Sequence, residues 1–183
     1  MGAGTGAYRL DMTIDPDTKD WTWVLERPCP ECAFVASAVT GPQIPRITRE
    51  CAAAWDGVLH REDVRDRPAP QVWSPLEYAC HVRDVCRVMD RRARLMLSED
   101  VPTFPDWDQD ETALRERYEE QQPAVVGQGL QSAAEAIAAR YEAVPDGAWD
   151  RRGMRSNGSA FTVLTLGRYF LHDVVHHLHD VGA

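Results

Sequence analysis

Four stretches of the chain repeat apolar residues at helical spacing, and helix-breaking segments separate them. Ile44, Ile47, Cys51, Ala54, Trp55 and Val58 recur three and four apart, so the spacing predicts a first amphipathic helix over roughly 44–60. Residues 66–72 are proline-rich and cannot continue it. Ser74-Pro75-Leu76-Glu77 then unites three start signals: Ser as N-cap, Pro at the first helical position and Glu placed to close a capping box. A second helix is expected over roughly 75–97, with Val82, Val85, Val88, Met89 and Met96 among its apolar positions. Residues 102–110 read as a loop whose acidic end suits a helix amino terminus. A third helical stretch is expected over 111–143, broken at Pro123 and loosened by Gly127 and Gly129. After a polar connection at 151–158, a last helix is expected over about 162–181, with Gly182 as its stop. No strand pattern stands between these segments. The expected fold class is all-α, a four-helix bundle.

The amino-terminal part reads differently. Residues 1–19 hold few apolar positions and are expected to form a tail, with one domain over 20–183. Trp21-Thr-Trp-Val-Leu carries a near-alternating apolar pattern, followed by proline-punctuated turns, and predicts an irregular, extended arm packed on the bundle. Cys29-Pro-Glu-Cys32 reads first as a structural turn, then as a regulatory thiol pair, and third as a metal knuckle completed by a distant Cys or His. No second Cys-x-x-Cys accompanies it, so a closed zinc ribbon is not supported. Cys51, Cys80 and Cys86 fall on helices and read as small buried hydrophobes.

Charge narrows the function classes. The chain of 183 residues carries a net charge of −9 with histidines neutral, which argues against nucleic acid and against a polybasic membrane patch. No apolar run approaches the roughly 20 residues that span a bilayer, and residues 1–5 lack the flank and apolar stretch of a signal peptide. Five cysteines, an odd number, read mostly as thiols in a reducing compartment, so a cytoplasmic location is expected. No phosphate-binding glycine loop or nucleophile elbow is present.

The chemistry concentrates in histidines. Four of the six lie in His172-Asp-Val-Val-His176-His177-Leu-His179. Residues four apart on a helix differ by about 40° around its axis and about 6 Å along it, so His172 and His176 can converge on one metal. His177 is rotated off that stripe, and His179 sits in a last turn prone to fraying, although it shares a face with His176. His81 lies in the second helix beside Tyr78, Val85 and Val88 and is expected to face inward. A bundle interior is where facing helices assemble metal sites. Three neutral imidazoles, His81, His172 and His176, would hold a divalent metal with open positions for water or substrate. The carboxylates Glu77, Asp84, Asp173 and Asp180 lie within a turn of these histidines and are candidates to orient an imidazole through its second nitrogen. Each of these side chains also has an ordinary structural reading: a satisfied core histidine, a dipole-complementing helix end, a solvated carboxylate.

Trp73-Ser-Pro-Leu-Glu-Tyr-Ala-Cys-His81, taken with Leu171-His172-Asp-Val-Val-His176-His177-Leu-His-Asp-Val, resembles the DinB superfamily. The acidic run at 107–110 and the segment from Ala148-Trp149 through Gly158 to Phe161-Thr162 are similar to members of that group, so the likeness covers roughly 20–181. It implies a bundle with an unusual connection order, often a homodimer, and a divalent metal (zinc first, then nickel, iron or manganese) on His81, His172 and His176. Relatives include the metal-binding domain of mycothiol-dependent maleylpyruvate isomerase and S-transferases that use mycothiol or bacillithiol. The resemblance therefore implies a low-molecular-weight thiol activated on the metal for attack on a small electrophile, with a metal-activated-water hydrolase and a non-catalytic scaffold as alternatives. A coordinated thiol is deprotonated at neutral pH, whereas a free one with pKa about 8.5 is not. Lys19 is the only lysine among many arginines and alanines, a composition resembling GC-rich genomes, some of which make mycothiol. Some thiol-using relatives carry a carboxylate in place of one helical histidine, whereas the set expected here keeps three imidazoles.

Overall fold

The computed structural model describes Ile14 and residues 19–183, so most of the expected tail lies outside the described residues. Five α-helices follow in chain order: α1 Ile44–Leu59, α2 Pro75–Ser98, α3 Gln109–Arg115, α4 Pro123–Glu142 and α5 Val163–Asp180. Among the described residues no helix is long and apolar enough to cross a membrane.

Local chemistry sets the boundaries. At the start of α2 the Ser74 hydroxyl accepts the Glu77 N–H at 3.3 Å and the Glu77 carboxylate accepts the Ser74 N–H at 2.8 Å. That carboxylate is buried and also takes the Arg67 guanidinium, so it is committed to the cap. The third helical stretch divides. Asp108 caps the short α3 by accepting the Glu111 N–H at 2.8 Å, and the chain then turns through Arg117 in the left-handed region (φ 51°). Pro123 begins α4, where its missing N–H costs nothing, and α4 runs through Gly127 and Gly129 without a break.

The four long helices form the bundle, with α1 and α2 each packed on both α4 and α5. α1 and α2 consequently stand on one diagonal and α4 and α5 on the other, while α2 and α4 are neighbours. Their long connections make this order feasible. The interior is filled by Trp55, Tyr141, Phe170, Leu76, Leu130, Ile137 and Leu166, all fully buried. Gly167 on α5 marks the closest approach: a Cβ there would lie 2.6 Å from Ile44 Cδ1 and 2.8 Å from Tyr141. Gly167→Ala is expected to lower stability by roughly 1–3 kcal/mol through overpacking, measured by chemical unfolding.

Three short strands cover one end, where sequence patterning gave no strand. They are β1 Thr103–Phe104, β2 Arg152–Arg155 and β3 Ala160–Thr162. β1 pairs parallel to β2, with Thr103 opposite Met154, and β2 pairs antiparallel to β3, with Gly153 opposite Phe161. Gly153 lets the sheet close on Met96, which a Cβ would meet at 2.6 Å. The amino-terminal arm is not extended throughout. It makes a 3-10 turn at Trp21–Leu25, capped by Asp20 accepting the Thr22 N–H, and lies against α5.

Candidate metal centre

α2 and α5 face each other with ionisable groups on both surfaces. His81 is completely buried between Trp73 and Trp107, with ring centroids 5.1 and 5.4 Å away. Its Nε2 lies 3.4 Å from Asp173 Oδ1, and His177 Nε2 reaches the same oxygen at 3.7 Å. The ligand atoms of His81, Asp173 and His177 all fall within 4.8 Å of one another. Two donors at about 2.1 Å from a tetrahedral metal stand about 3.4 Å apart, so the observed separations suit one cation.

Hydrogen bonding singles out the same atoms. Neither nitrogen of His81 has a hydrogen-bond partner, nor does Asp173 Oδ1, and all three atoms are buried. Unpaired buried polar atoms cost about 1–3 kcal/mol each, and a divalent cation between the three side chains would satisfy Nε2 and Oδ1 together. Burial pushes the His81 pKa down. It would raise the Asp173 carboxyl, but the neighbouring imidazoles of His81 and His177 hold that group below its ordinary value. Neutral imidazole beside ionised carboxylate is the protonation state a metal needs. His177 Nδ1 donates to Asp180 Oδ2 at 2.8 Å, which fixes the tautomer and points Nε2 inward. Asp180→Asn is expected to weaken metal binding by roughly 10–100-fold with little loss of stability, measured by competition with a chromogenic chelator.

The structure divides the expected triad. His172 and His176 do not join His81; they meet Cys29 and Cys32 of the arm, again with all ligand atoms within 4.8 Å. The reason is helical rotation. Residues 172 and 176 form one i, i+4 pair on α5, and residues 173 and 177 form a second pair about 100° around the axis. The second pair faces α2. Spacing from His172 and His176 sets His177 off their stripe and leaves Asp173 as an orienting carboxylate; the i, i+4 spacing of Asp173 and His177 is the signal that pairs them. Of the other candidate carboxylates, Glu77 serves the α2 cap, and Asp84 binds Arg83, Arg87 and Tyr118. Trp149 stacks on Tyr141, unlike Trp73 and Trp107, which pack on His81. His179, the alternative ligand, is exposed.

A cavity of about 360 Å3 lies over α5, lined by Trp21, Trp73 and Tyr78; it reaches Asp173 and His177 of this centre and also His172 and His176 of the other cluster. A larger and more apolar cavity of about 970 Å3 adjoins it, sharing Trp73 and Asp110 and extending over Pro68, Ala69 and Leu114.

The sequence matches the DinB superfamily over residues 46–181, about three quarters of the chain. The chain belongs to that superfamily. YfiT from Bacillus subtilis, described as "a probable metal-dependent hydrolase with an unusual four-helix bundle topology", superposes with a TM-score of 0.68 at 17% identity, covering 76% of this chain and 82% of that one. This likeness shows that the two share a bundle fold. No curated protein matches the sequence.

Proposed function

We propose that this DinB protein is a divalent-metal-dependent thiol S-transferase whose metal sits on His81, Asp173 and His177. The observation that carries the reading is the convergence of His81, Asp173 and His177 within 4.8 Å of one another, with Asp173 and His177 on the wall of a cavity and the buried His81 nitrogens and Asp173 Oδ1 without hydrogen-bond partners. Three protein donors leave positions open, the arrangement of a catalytic rather than a structural site. A bound divalent cation supplies Lewis acidity that holds a coordinated thiol as thiolate at neutral pH. The protein does the rest. His81 and His177 present neutral nitrogens, Asp173 supplies negative charge, and Asp180 keeps the His177 ring in place. Trp73 and Trp107 shield His81 from water.

Two features favour a thiol such as mycothiol. The carboxylate among the donors resembles the thiol-using relatives that replace one histidine. The cavity also joins aromatic faces of Trp21, Trp73 and Tyr78 to the acidic groups Glu31, Asp110 and Asp180, which outnumber the cation Lys19 on the same lining. Aromatic faces stack on sugar and cyclitol rings, and carboxylates accept their hydroxyls, so an uncharged sugar–inositol thiol suits this lining better than a carboxylate-bearing one. The adjoining apolar cavity, lined by proline and leucine, is the place for a small electrophile.

A hydrolase acting through metal-activated water is the second reading, favoured by the description of YfiT and by the same open positions. Cobalt-substituted protein distinguishes the two. Adding mycothiol is expected to produce a sulfur-to-cobalt charge-transfer band in the difference spectrum, where the protein's own cysteines cancel. The band is expected to vanish in His81→Ala. Its absence from the full chain would contradict the thiol reading.

A further inference from the structure

The second cluster on α5 has no part in this chemistry. Cys29 and Cys32 stand on a tight turn: the Cys29 N–H donates to Phe34 O at 2.9 Å, the Ala33 N–H donates to Cys29 O at 3.0 Å, and Ala33 takes a left-handed conformation (φ 59°). The turn carries both thiols to the face of α5 that presents His172 and His176. Cys29 Sγ lies 3.7 Å from His176 Nδ1, and the two imidazoles are 5.0 Å apart between centroids. His172 Nε2 is buried with no hydrogen-bond partner, and Cys29, His172 and His176 are all buried.

We propose that Cys29, Cys32, His172 and His176 form a closed structural zinc site that pins the amino-terminal arm onto α5 as one wall of the cavity. The donor set is two sulfurs and two nitrogens in the spacing C-x2-C and H-x3-H, which is that of structural zinc sites. With Zn–S about 2.3 Å and Zn–N about 2.0–2.1 Å, a tetrahedron places sulfur and nitrogen about 3.5 Å apart, near the separation found. Four protein donors leave no position for substrate, so the site is structural and differs in kind from the three-donor centre on the adjacent face. Binding one zinc ion displaces one proton from each thiol, and no redox partner is required. A disulfide switch does not explain why two histidines converge on the pair, and both cysteines are free. A Cys29–His176 nucleophile is disfavoured by burial, since Cys29 is only 1% exposed.

The consequence is mechanical. Trp21 packs 5.4 Å from His172 and 5.2 Å from His176 between centroids, and Phe34 packs 5.9 Å from His172. Trp21 and Glu31 both line the cavity, so the clamp sets that wall although it takes no part in the reaction.

The test uses the full chain purified without a histidine tag. X-ray absorption at the zinc edge is expected to show sulfur scattering near 2.3 Å, and titration with an organomercurial is expected to release one zinc per chain. Cys29→Ser with Cys32→Ser is expected to lose one equivalent of metal and to speed proteolysis within residues 20–39 at least tenfold. His81→Ala is expected to keep the sulfur-bound ion, so failure of the catalytic reading and failure of this one are separate results. The wild-type readouts stand even if the double variant fails to fold. Zinc without sulfur neighbours, or a Cys29–Cys32 disulfide in protein lacking sulfur-bound metal, would overturn the proposal.

Discussion

Asp173→Asn, His81→Ala and His177→Ala are each expected to lower metal affinity at the three-donor centre by more than about 100-fold, since even loss of an orienting partner costs 10–100-fold. Each removes one of only three protein donors. Elemental analysis of untagged protein, with circular dichroism as the folding control, reads the effect. His60→Ala supplies the comparison: that ring is exposed, bonds to Asp56 O on the preceding turn, and its loss is expected to leave metal content unchanged. A leucine at position 81 gives a sharper signature. His81→Leu keeps the pocket dry and is expected to abolish metal binding at the three-donor centre while leaving the sulfur-bound ion in place.

The second large effect belongs to a carboxylate that sequence reading placed among the imidazole-orienting candidates. Asp84 is buried, receives Arg83 at 2.8 Å and the Tyr118 hydroxyl at 2.7 Å, and binds the half-exposed Arg87 at 2.9 Å. Asp84→Ala leaves the buried Arg83 charge, still bonded to Gln121, without its counter-ion and the Tyr118 hydroxyl without its acceptor, an expected loss of about 3–5 kcal/mol. Metal content is expected to remain at the wild-type level. Burial would raise the Asp84 carboxyl, but Arg83 and Tyr118 hold it below its ordinary value. A carboxyl lowered on folding stabilises fully above its unfolded pKa. The contribution of Asp84 is therefore complete above about pH 4 and drains as the pH falls through the lowered value. Urea unfolding of both proteins across pH 2–6 reads the magnitude and the trend together.

Much of the bundle is legible because its signals are local. Ser74, Pro75 and Glu77 fix the start of α2 through atoms within three residues, and the apolar spacing from Ile44 to Val58 fixes the buried side of α1. The strands escape such reading because they are two to four residues long and paired across the chain, Thr103 with Met154. Pro123 shows the limit of a breaker signal: the same ring that ends a helix from inside begins one at its first turn.

The site divides along the same line. The histidines of α5 announce metal chemistry, but periodicity places residues on a helix without fixing the helix's rotation in the bundle. Two i, i+4 pairs, 172 with 176 and 173 with 177, are offset by about 100°, and only the packing of Phe170, Leu171 and Val174 into the core decides which pair turns toward His81. From sequence the knuckle is only the third reading of the Cys29 turn, because the partners that raise it lie more than 140 residues away.

Anomalous difference maps from crystals of untagged protein, recorded on both sides of the bound metal's absorption edge, test the division of α5 most directly. The expected result is one peak bonded by His81 Nε2, Asp173 and His177 Nε2, and another bonded by Cys29, Cys32, His172 and His176. One peak shared by His81, His172 and His176 would contradict it.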